Sequence, residues 1–482
     1  VDVGGTFTDL VLFDTETESV KIAKVPSTPE NQAFGVMQAL ESAGATMETL
    51  STVIHGTTIT TNALLERKIS RVGLITTQGF RDVLELGRRT RPKPYGMTGS
   101  FECIIPRELR LEVRERVDCD GKIVEELNEA DVQKALEQLL ESGVEAVIIH
   151  FLHSYKNDIH ERKTEEIVKK LWPNPFITRG SALVSEFREY ERGTTAAINA
   201  AIQPVLHRYI ERLQQKLKEE GYSRDLLVMQ GNGGTVSSRI VSTDAVKTVM
   251  SGPASGVMAA AYTASKSGFD RVVTYDMGGT SCDVGLIVNG IPQVTSELEI
   301  EYAMPIHVPM VDVHTIGAGG GSLAWVNDAG LLQVGPESAG AQPGPICYGR
   351  GGQKPTITDA NLVLGRLNPN ALLAVENPVS LETVRNSLVE EVGSKLGLED
   401  AEEIAAAIVR IANMNMAGAL RLVSLARGYD PRDFALFAFG GAGPLHAVAL
   451  ASELGIPKVL VPMRPGITNA VGCVVADVRH DY

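Results

Sequence analysis

The first residues that could do chemistry are two acids flanking a glycine pair. In VDVGGTFTDL, residues 1–10, a short apolar strand carries Asp2 and breaks at Gly4 and Gly5. Hydroxyls follow at Thr6 and Thr8, then a second acid at Asp9, before apolar residues resume. A glycine turn between two strands offers bare backbone N–H groups and hydroxyls to an anion. A carboxylate at its mouth can hold a hydrated Mg²⁺ beside a phosphate. Gly-Gly is equally the mark of an ordinary hairpin, so this stretch alone leaves both readings open. The arrangement returns in YDMGGTSCDV, residues 275–284, with Asp276, Gly278, Gly279, Thr280, Ser281 and Asp283. Two such hairpins far apart suggest a duplicated domain whose halves could clamp a triphosphate from both sides. A third glycine turn, FGGAGPLH at 439–446, follows an apolar strand and opens a helix. Gly440, Gly441 and Gly443 there suit the approach of a nucleotide's sugar or phosphate to a helix N-terminus.

Other residues offer chemistry less directly. His55, Thr57 and Thr58 begin a hydroxyl-rich run after the strand Val53-Ile54, and could line a site or simply cap the next helix. Asp312 and His314 have the spacing of residues on one side of a strand, beside the loop IGAGGGS at 316–322. They could bind a metal, act as acid–base groups, or form a plain hydrogen-bonded pair. The glycine loop itself must bring its backbone close to something. Arg88, Arg89 and Arg91 could grip an anion, though such clusters are more often solvated. His150, His153 and His160 lack metal-site spacing and read as structural, and Arg188 and Arg192 read as one solvated helix face.

The elements that position these groups alternate between strands and helices. Residues 28–40 have helical spacing, and Asn128 caps an amphipathic helix over 130–142. Residues 146–152, apolar except for His150, read as a fully buried strand, as in parallel sheets. Residues 186–209 predict a helix broken at Pro204. Residues 401–427 predict a long helix with Ile404, Ile408, Ile411, Met414 and Leu420 toward the core. Residues 335–352 are rich in Gly and Pro and predict a long loop.

The 482 residues exceed one hydrophobic core, so two or more domains are expected. A net charge of −14 with no basic run argues against nucleic acid or an anionic membrane as partner. No stretch is long and apolar enough to span a membrane. The five cysteines are scattered, which argues against a disulfide framework or a cysteine zinc site and suits a cytoplasmic setting.

Together the three glycine loops resemble the phosphate and adenosine motifs of the actin, sugar-kinase and heat-shock-chaperone ATPases. The strings VDVGGTFTD, HGTTITTNAL, SGPASG, DMGGTSCDV and GAGGGS resemble, within that superfamily, the hydantoinase A/5-oxoprolinase family. The resemblance covers essentially the whole chain. It implies an α/β fold of duplicated ribonuclease-H-like ATPase domains with an inter-domain nucleotide cleft, divided as residues 1–185 and 186–482. Family members usually run on for a further domain. It implies ATP and Mg²⁺ as cofactors and hydrolysis of a cyclic amide or imide after phosphorylation of its carbonyl oxygen. Gly4, Gly5, Thr6, Thr8, Gly278, Gly279, Thr280 and Ser281 would bind phosphate. Asp2 and Asp276 would hold the metal, and Gly440, Gly441 and Gly443 would admit the nucleoside. His55, Asp312 and His314 are the substrate-side candidates. A B-type hydantoinase subunit is the expected partner, and a homo-oligomer is compatible. A ketone carboxylase subunit, or a nucleotide-gated binding or assembly protein, are the rival functions.

Overall fold

The computed structural model describes residues 1–28, 32–88, 95–96, 102–372, 375 and 377–479. Contacts divide them into two compact units, neither continuous in sequence. The first comprises Val1–Ala45, Gly252–Gln293 and Val311–Ala476; the second comprises Thr46–Ser251, Val294–Met310 and the residues from Asp477. The division expected at 185/186 follows chain order. The contacts instead gather both glycine hairpins and the third glycine turn into the first unit.

In the first unit, Asp2–Val3 pairs antiparallel with Phe7–Asp14, which pairs antiparallel with Ser19–Pro26. The helix expected from residue 28 spans Gln32–Ser42, and residues 29–31 lie outside the described set. A second sheet is built on Val272–Met277. That strand pairs antiparallel with Cys282–Val288 and parallel with Ala435–Phe439, which pairs parallel with Lys458–Leu460. Val313–Ile316 adds antiparallel to Cys282–Val288. One face of this sheet, carrying Val273, Tyr275, Met277, Val284 and Leu286, packs into a core with the helix Ala401–Leu425. Asp400 caps that helix, its side chain accepting from the N–H groups of Glu402 and Glu403. Ile404, Ile408, Met416 and Leu420 are buried, whereas Met414, expected inside, is 60% exposed. Steps of four from residue 404 keep to one stripe, and 414 falls between its turns. The Gly/Pro-rich stretch begins as a strand, Leu332–Ser338, paired with Ser322–Val326, before it becomes loop.

The second unit holds a parallel sheet in the order Ile177–Arg179, Ala146–His150, Val72–Thr77, Arg110–Val113. Ala146–His150 is buried throughout, as its apolar run predicts. The helix Glu129–Glu141 is capped by Asn128, whose side chain accepts the Asp131 N–H at 3.1 Å. The helix Glu189–Glu219 differs from expectation in two ways. It continues unbroken past Pro204. An interior proline costs about 3 kcal/mol, but burying Ile198, Ile202, Leu206, Ile210, Leu213 and Leu217 contributes about 1.5–3 kcal/mol each. Arg192 is fully buried rather than solvated. Its guanidinium donates to the carbonyls of Glu186 at 2.9 Å and Phe151 at 3.2 Å and pairs with Glu189 at 3.4 Å. Those partners replace the water it lost. Arg88 pairs with Glu191 and Glu297; Arg89 and Arg91 lie outside the described residues. Among the described residues no helix is long and apolar enough to cross a membrane.

Candidate functional site

The two hairpins share one geometry. Asp2 stands opposite Asp9, and Asp276 stands opposite Asp283, in register. Cross-strand partners point to the same face, so each hairpin presents a pair of carboxylates together. The turns close alike: the Gly4 N–H donates to the Phe7 carbonyl at 2.9 Å, and the Gly278 N–H to the Ser281 carbonyl at 3.0 Å. These two N–H groups are therefore spent on the turn itself.

The turn carbonyls are held from behind. The Ser27 hydroxyl donates to the Gly4 carbonyl at 2.7 Å, and the Ser27 N–H to the Thr6 carbonyl at 2.9 Å. At the second hairpin, the N–H groups of Gly320 and Gly321 donate to the carbonyls of Gly278 and Gly279 at 3.0 and 2.7 Å. This is what the glycine loop at 316–322 approaches: a Cβ on Gly319 would lie 2.5 Å from the Thr280 carbonyl carbon. With their carbonyls anchored, the turns keep donors free. Among the described residues the N–H groups of Gly5, Thr6, Gly279, Thr280 and Ser281 have no backbone acceptor. A Cβ on Gly5 or Gly279 would meet nothing within 4 Å.

The four acids are buried together with few partners. Burial, then the nearby Asp9, pushes the Asp2 carboxyl up to about 6. Burial and Asp283 push Asp276 up to about 7, with smaller contributions from Asp2 and Asp9. Burial raises Asp283 to about 6 against the Thr315 hydroxyl, which donates to it at 2.5 Å. Burial also raises Asp9, opposed by Lys24, whose ammonium lies 2.7 Å from Asp9 and 3.0 Å from the Gly466 carbonyl. Asp276 Oδ2 accepts from Asn469 Nδ2 at 3.2 Å. Asp2 is 5% exposed, and its Oδ1 has no partner among the described residues. Four carboxylates answered by one lysine, an orphaned carboxylate oxygen and a row of free N–H donors fit a divalent cation with an anion. Among the described residues no three His, Cys, Asp or Glu side chains converge on a metal.

Several expected site residues lie elsewhere or serve otherwise. Thr8 pairs with Val3 and so faces away from Asp2 and Asp9. It is fully buried, its hydroxyl 3.2 Å from that of Ser27. Gly440 has φ +82, and a Cβ there would lie 2.2 Å from Asp276 Oδ1. A Cβ on Gly443 would lie 3.3 Å from the Tyr275 carbonyl. Both glycines let the third turn pack on the second hairpin; only Gly441 is open. Asp312 and His314 do meet, at 3.3 Å, and Arg427 bonds to both. His314 pairs with Val284, the residue after Asp283, so strand alternation turns it to the opposite face from Asp276 and Asp283. Thr315 shares the acids' face. His55 belongs to the second unit, fully buried, with Nε2 2.9 Å from the Tyr209 hydroxyl. Thr57 is buried and its carbonyl accepts from Ser251. Lys24, Asn469 and Thr315 were not singled out from sequence. Lys24 had a signal: a hairpin turning at 15–18 sets it opposite Asp9. Asn469 and Thr315 had none.

The chain matches the Hydantoinase/oxoprolinase family model over residues 192–482 and the Hydantoinase/oxoprolinase N-terminal region over 1–172. It is 38% identical to the caprolactamase subunit alpha of Pseudomonas jessenii, over its full length and 70% of that protein. It is 36% identical to the acetophenone carboxylase gamma subunit of Aromatoleum aromaticum, over its full length and 68% of that protein. The crystal structure of the ATP-dependent caprolactamase superposes with a TM-score of 0.85 at 37% identity, covering 99% of this chain and 70% of that one. The nucleotide-free structure of acetone carboxylase gives 0.84 at 28% identity, covering 98% and 69%. With two family models spanning nearly all its residues and relatives matched end to end, the chain belongs to the hydantoinase/oxoprolinase family.

Proposed function

We propose that the chain is the ATP-binding component of an ATP-dependent amidohydrolase acting on a cyclic amide or imide of the hydantoin, 5-oxoproline or lactam type. The observation that carries this is the pair of acid-flanked hairpins, anchored from behind and open in front, within one compact unit. Their repetition supports an actin- or sugar-kinase-type ATPase fold. An unstrained amide carbonyl is a poor electrophile; MgATP, when bound, supplies a phosphoryl group that turns the carbonyl oxygen into a leaving group. Phosphoryl transfer asks for positioning and charge neutralisation. The N–H groups of Gly5, Thr6, Gly279, Thr280 and Ser281 would hold phosphate oxygens. Asp2 and Asp276 would hold Mg²⁺ through its waters, and Gly441 would border the nucleoside. The caprolactamase relative is itself named a subunit, which supports a second, B-type chain that handles the activated substrate. Similarity to two ketone carboxylases supports a second reading, activation of a ketone and bicarbonate at the same ATP site.

The test is an ATPase screen with and without a B-type subunit. Turnover stimulated by hydantoins, 5-oxoproline or lactams supports hydrolysis. Stimulation only by ketone with bicarbonate moves the assignment to the second reading. ATP hydrolysis at one rate with every candidate sinks both and leaves a nucleotide-gated binding protein.

A further inference from the structure

One short segment connects to both hairpins and to the third glycine turn. The Pro465 carbonyl accepts the Gly440 N–H at 2.9 Å, which ties it to the third turn. The Gly466 carbonyl accepts from Lys24, which holds Asp9 of the first hairpin. Asn469 donates to Asp276 of the second. Further along, the Cys473 thiol lies 3.8 Å from the Val1 carbonyl, at the base of the first hairpin.

The segment is seated tightly. A Cβ on Gly472 would lie 1.9 Å from the Ser255 carbonyl, so its helix, Thr468–Val475, rests directly on the backbone of Ser251–Lys266. A Cβ on Gly256 would lie 2.5 Å from Asn469 Oδ1, so a glycine there leaves room for the Asn469 amide. Two glycines and one amide thus fix where the Asp276 carboxylate is held.

We infer that residues 465–473 form a clasp that sets the two acid pairs relative to one another, and that Asn469 is a positioning residue orienting Asp276 toward a divalent cation. The inference rests on the Mg-nucleotide reading of the hairpins. Lys24 and Asn469 play matching parts: each fixes one carboxylate, and both connect to the same clasp. A partner that orients a metal-holding carboxylate typically accounts for about 10–100-fold in metal affinity.

The experiment measures Mn²⁺ binding by electron paramagnetic resonance in the presence of ADP, alongside ADP binding by calorimetry in EDTA. It compares the full chain with Asn469→Leu, which keeps the number and branching of side-chain heavy atoms and removes the donor, and with Asn469→Ala. The expected result is Mn²⁺ affinity about tenfold weaker or more in both variants, with metal-free ADP affinity and melting temperature close to wild type. Asn469→Leu with wild-type Mn²⁺ affinity overturns the inference, because packing alone then accounts for the residue. Equal losses with and without Mn²⁺ overturn it too, since the role is then structural. If the wild-type chain binds neither Mn²⁺ nor ADP, the Mg-nucleotide reading itself falls, an outcome separate from failure of the clasp.

Discussion

Gly440→Ala separates a packing role of the third turn from a ligand role. Gly440 sits at φ +82, a region an L side chain enters at a cost of about 1–2 kcal/mol. Its new Cβ would stand 2.2 Å from Asp276 Oδ1 and 2.5 Å from the Met277 carbonyl, where real contacts essentially never fall below 3.0 Å. Relief requires a displacement of about 1 Å by Asp276, the Met277 peptide or the turn. A misplacement of about 1 Å at a reacting centre can cost on the order of 100-fold in rate. Gly440→Ala should therefore lower substrate-stimulated ATPase by about that factor and lower the melting temperature by a few degrees. Gly441→Ala is the control: its Cβ meets nothing within 4 Å. Its melting temperature should stay at the wild-type value while the KM for ATP rises several-fold, as expected of a residue bordering the nucleoside. Steady-state ATPase and thermal unfolding of the three proteins decide the matter. ATPase within twofold of wild type in Gly440→Ala would refute the claim that this glycine supports Asp276. An unchanged KM in Gly441→Ala would remove the loop from the nucleoside site.

Lys24→Met should destabilise the fold by about 1–3 kcal/mol, because Asp9 loses its charged partner in a largely buried site. Adding Asp9→Asn should recover most of that loss in a melting experiment; a double variant as unstable as the single would mean the lysine acts through something other than Asp9. The acid cluster also predicts a pH dependence. Asp2, Asp276 and Asp283 hold their protons to about 6–7 when folded, against an ordinary value of 3.8. The folded state thus binds more protons across that window, so their contribution to stability is present below it and is lost as pH rises through it. Without divalent cation, the melting temperature of the wild type should fall relative to Asp276→Asn between about pH 4 and 7. Parallel pH profiles for the two proteins would contradict the coupling.

The sequence revealed patterns that a single element specifies. Acids flanking Gly-Gly, the apolar run at 146–150 and the Asn128 cap each depend on neighbours within a few residues. Features depending on tertiary partners were hidden. Asn469 is an ordinary polar residue near a helix start until the fold brings Asp276 to it. Thr8 looked like a phosphate donor because its hydroxyl follows the glycine pair by three residues, yet pairing with Val3 turns it inward. Asp312 and His314 had the correct mutual spacing, and one step of strand register decided that Thr315 and not they would face the acids. Pro204 read as a break because the weight of apolar burial on its own helix lies outside any local window.

The two hairpins share a constraint and differ in how it is met. The acids stand seven residues apart in both, because the pairs Val3 with Thr8 and Met277 with Cys282 enclose a four-residue turn. A one-residue slip of register would send one acid of each pair to the other face. The spacing is therefore what makes each carboxylate pair converge. Their partners differ: among the described residues Asp9 has a lysine, Asp283 a threonine hydroxyl and Asp276 an amide. Neutral donors orient a carboxylate without cancelling its charge. Among the described residues the second hairpin accordingly has no cationic partner for its acids, and Asp276 there is raised further, to about 7, than Asp2 or Asp283, each at about 6. The backbone supports follow the same division. The first turn is held by one side chain and one N–H, both from Ser27. The second is held by two backbone N–H groups of a glycine loop, itself fastened by Thr358 to the Gly320 carbonyl. The turn whose acids have no lysine is thus the one whose carbonyls are held by main-chain donors alone.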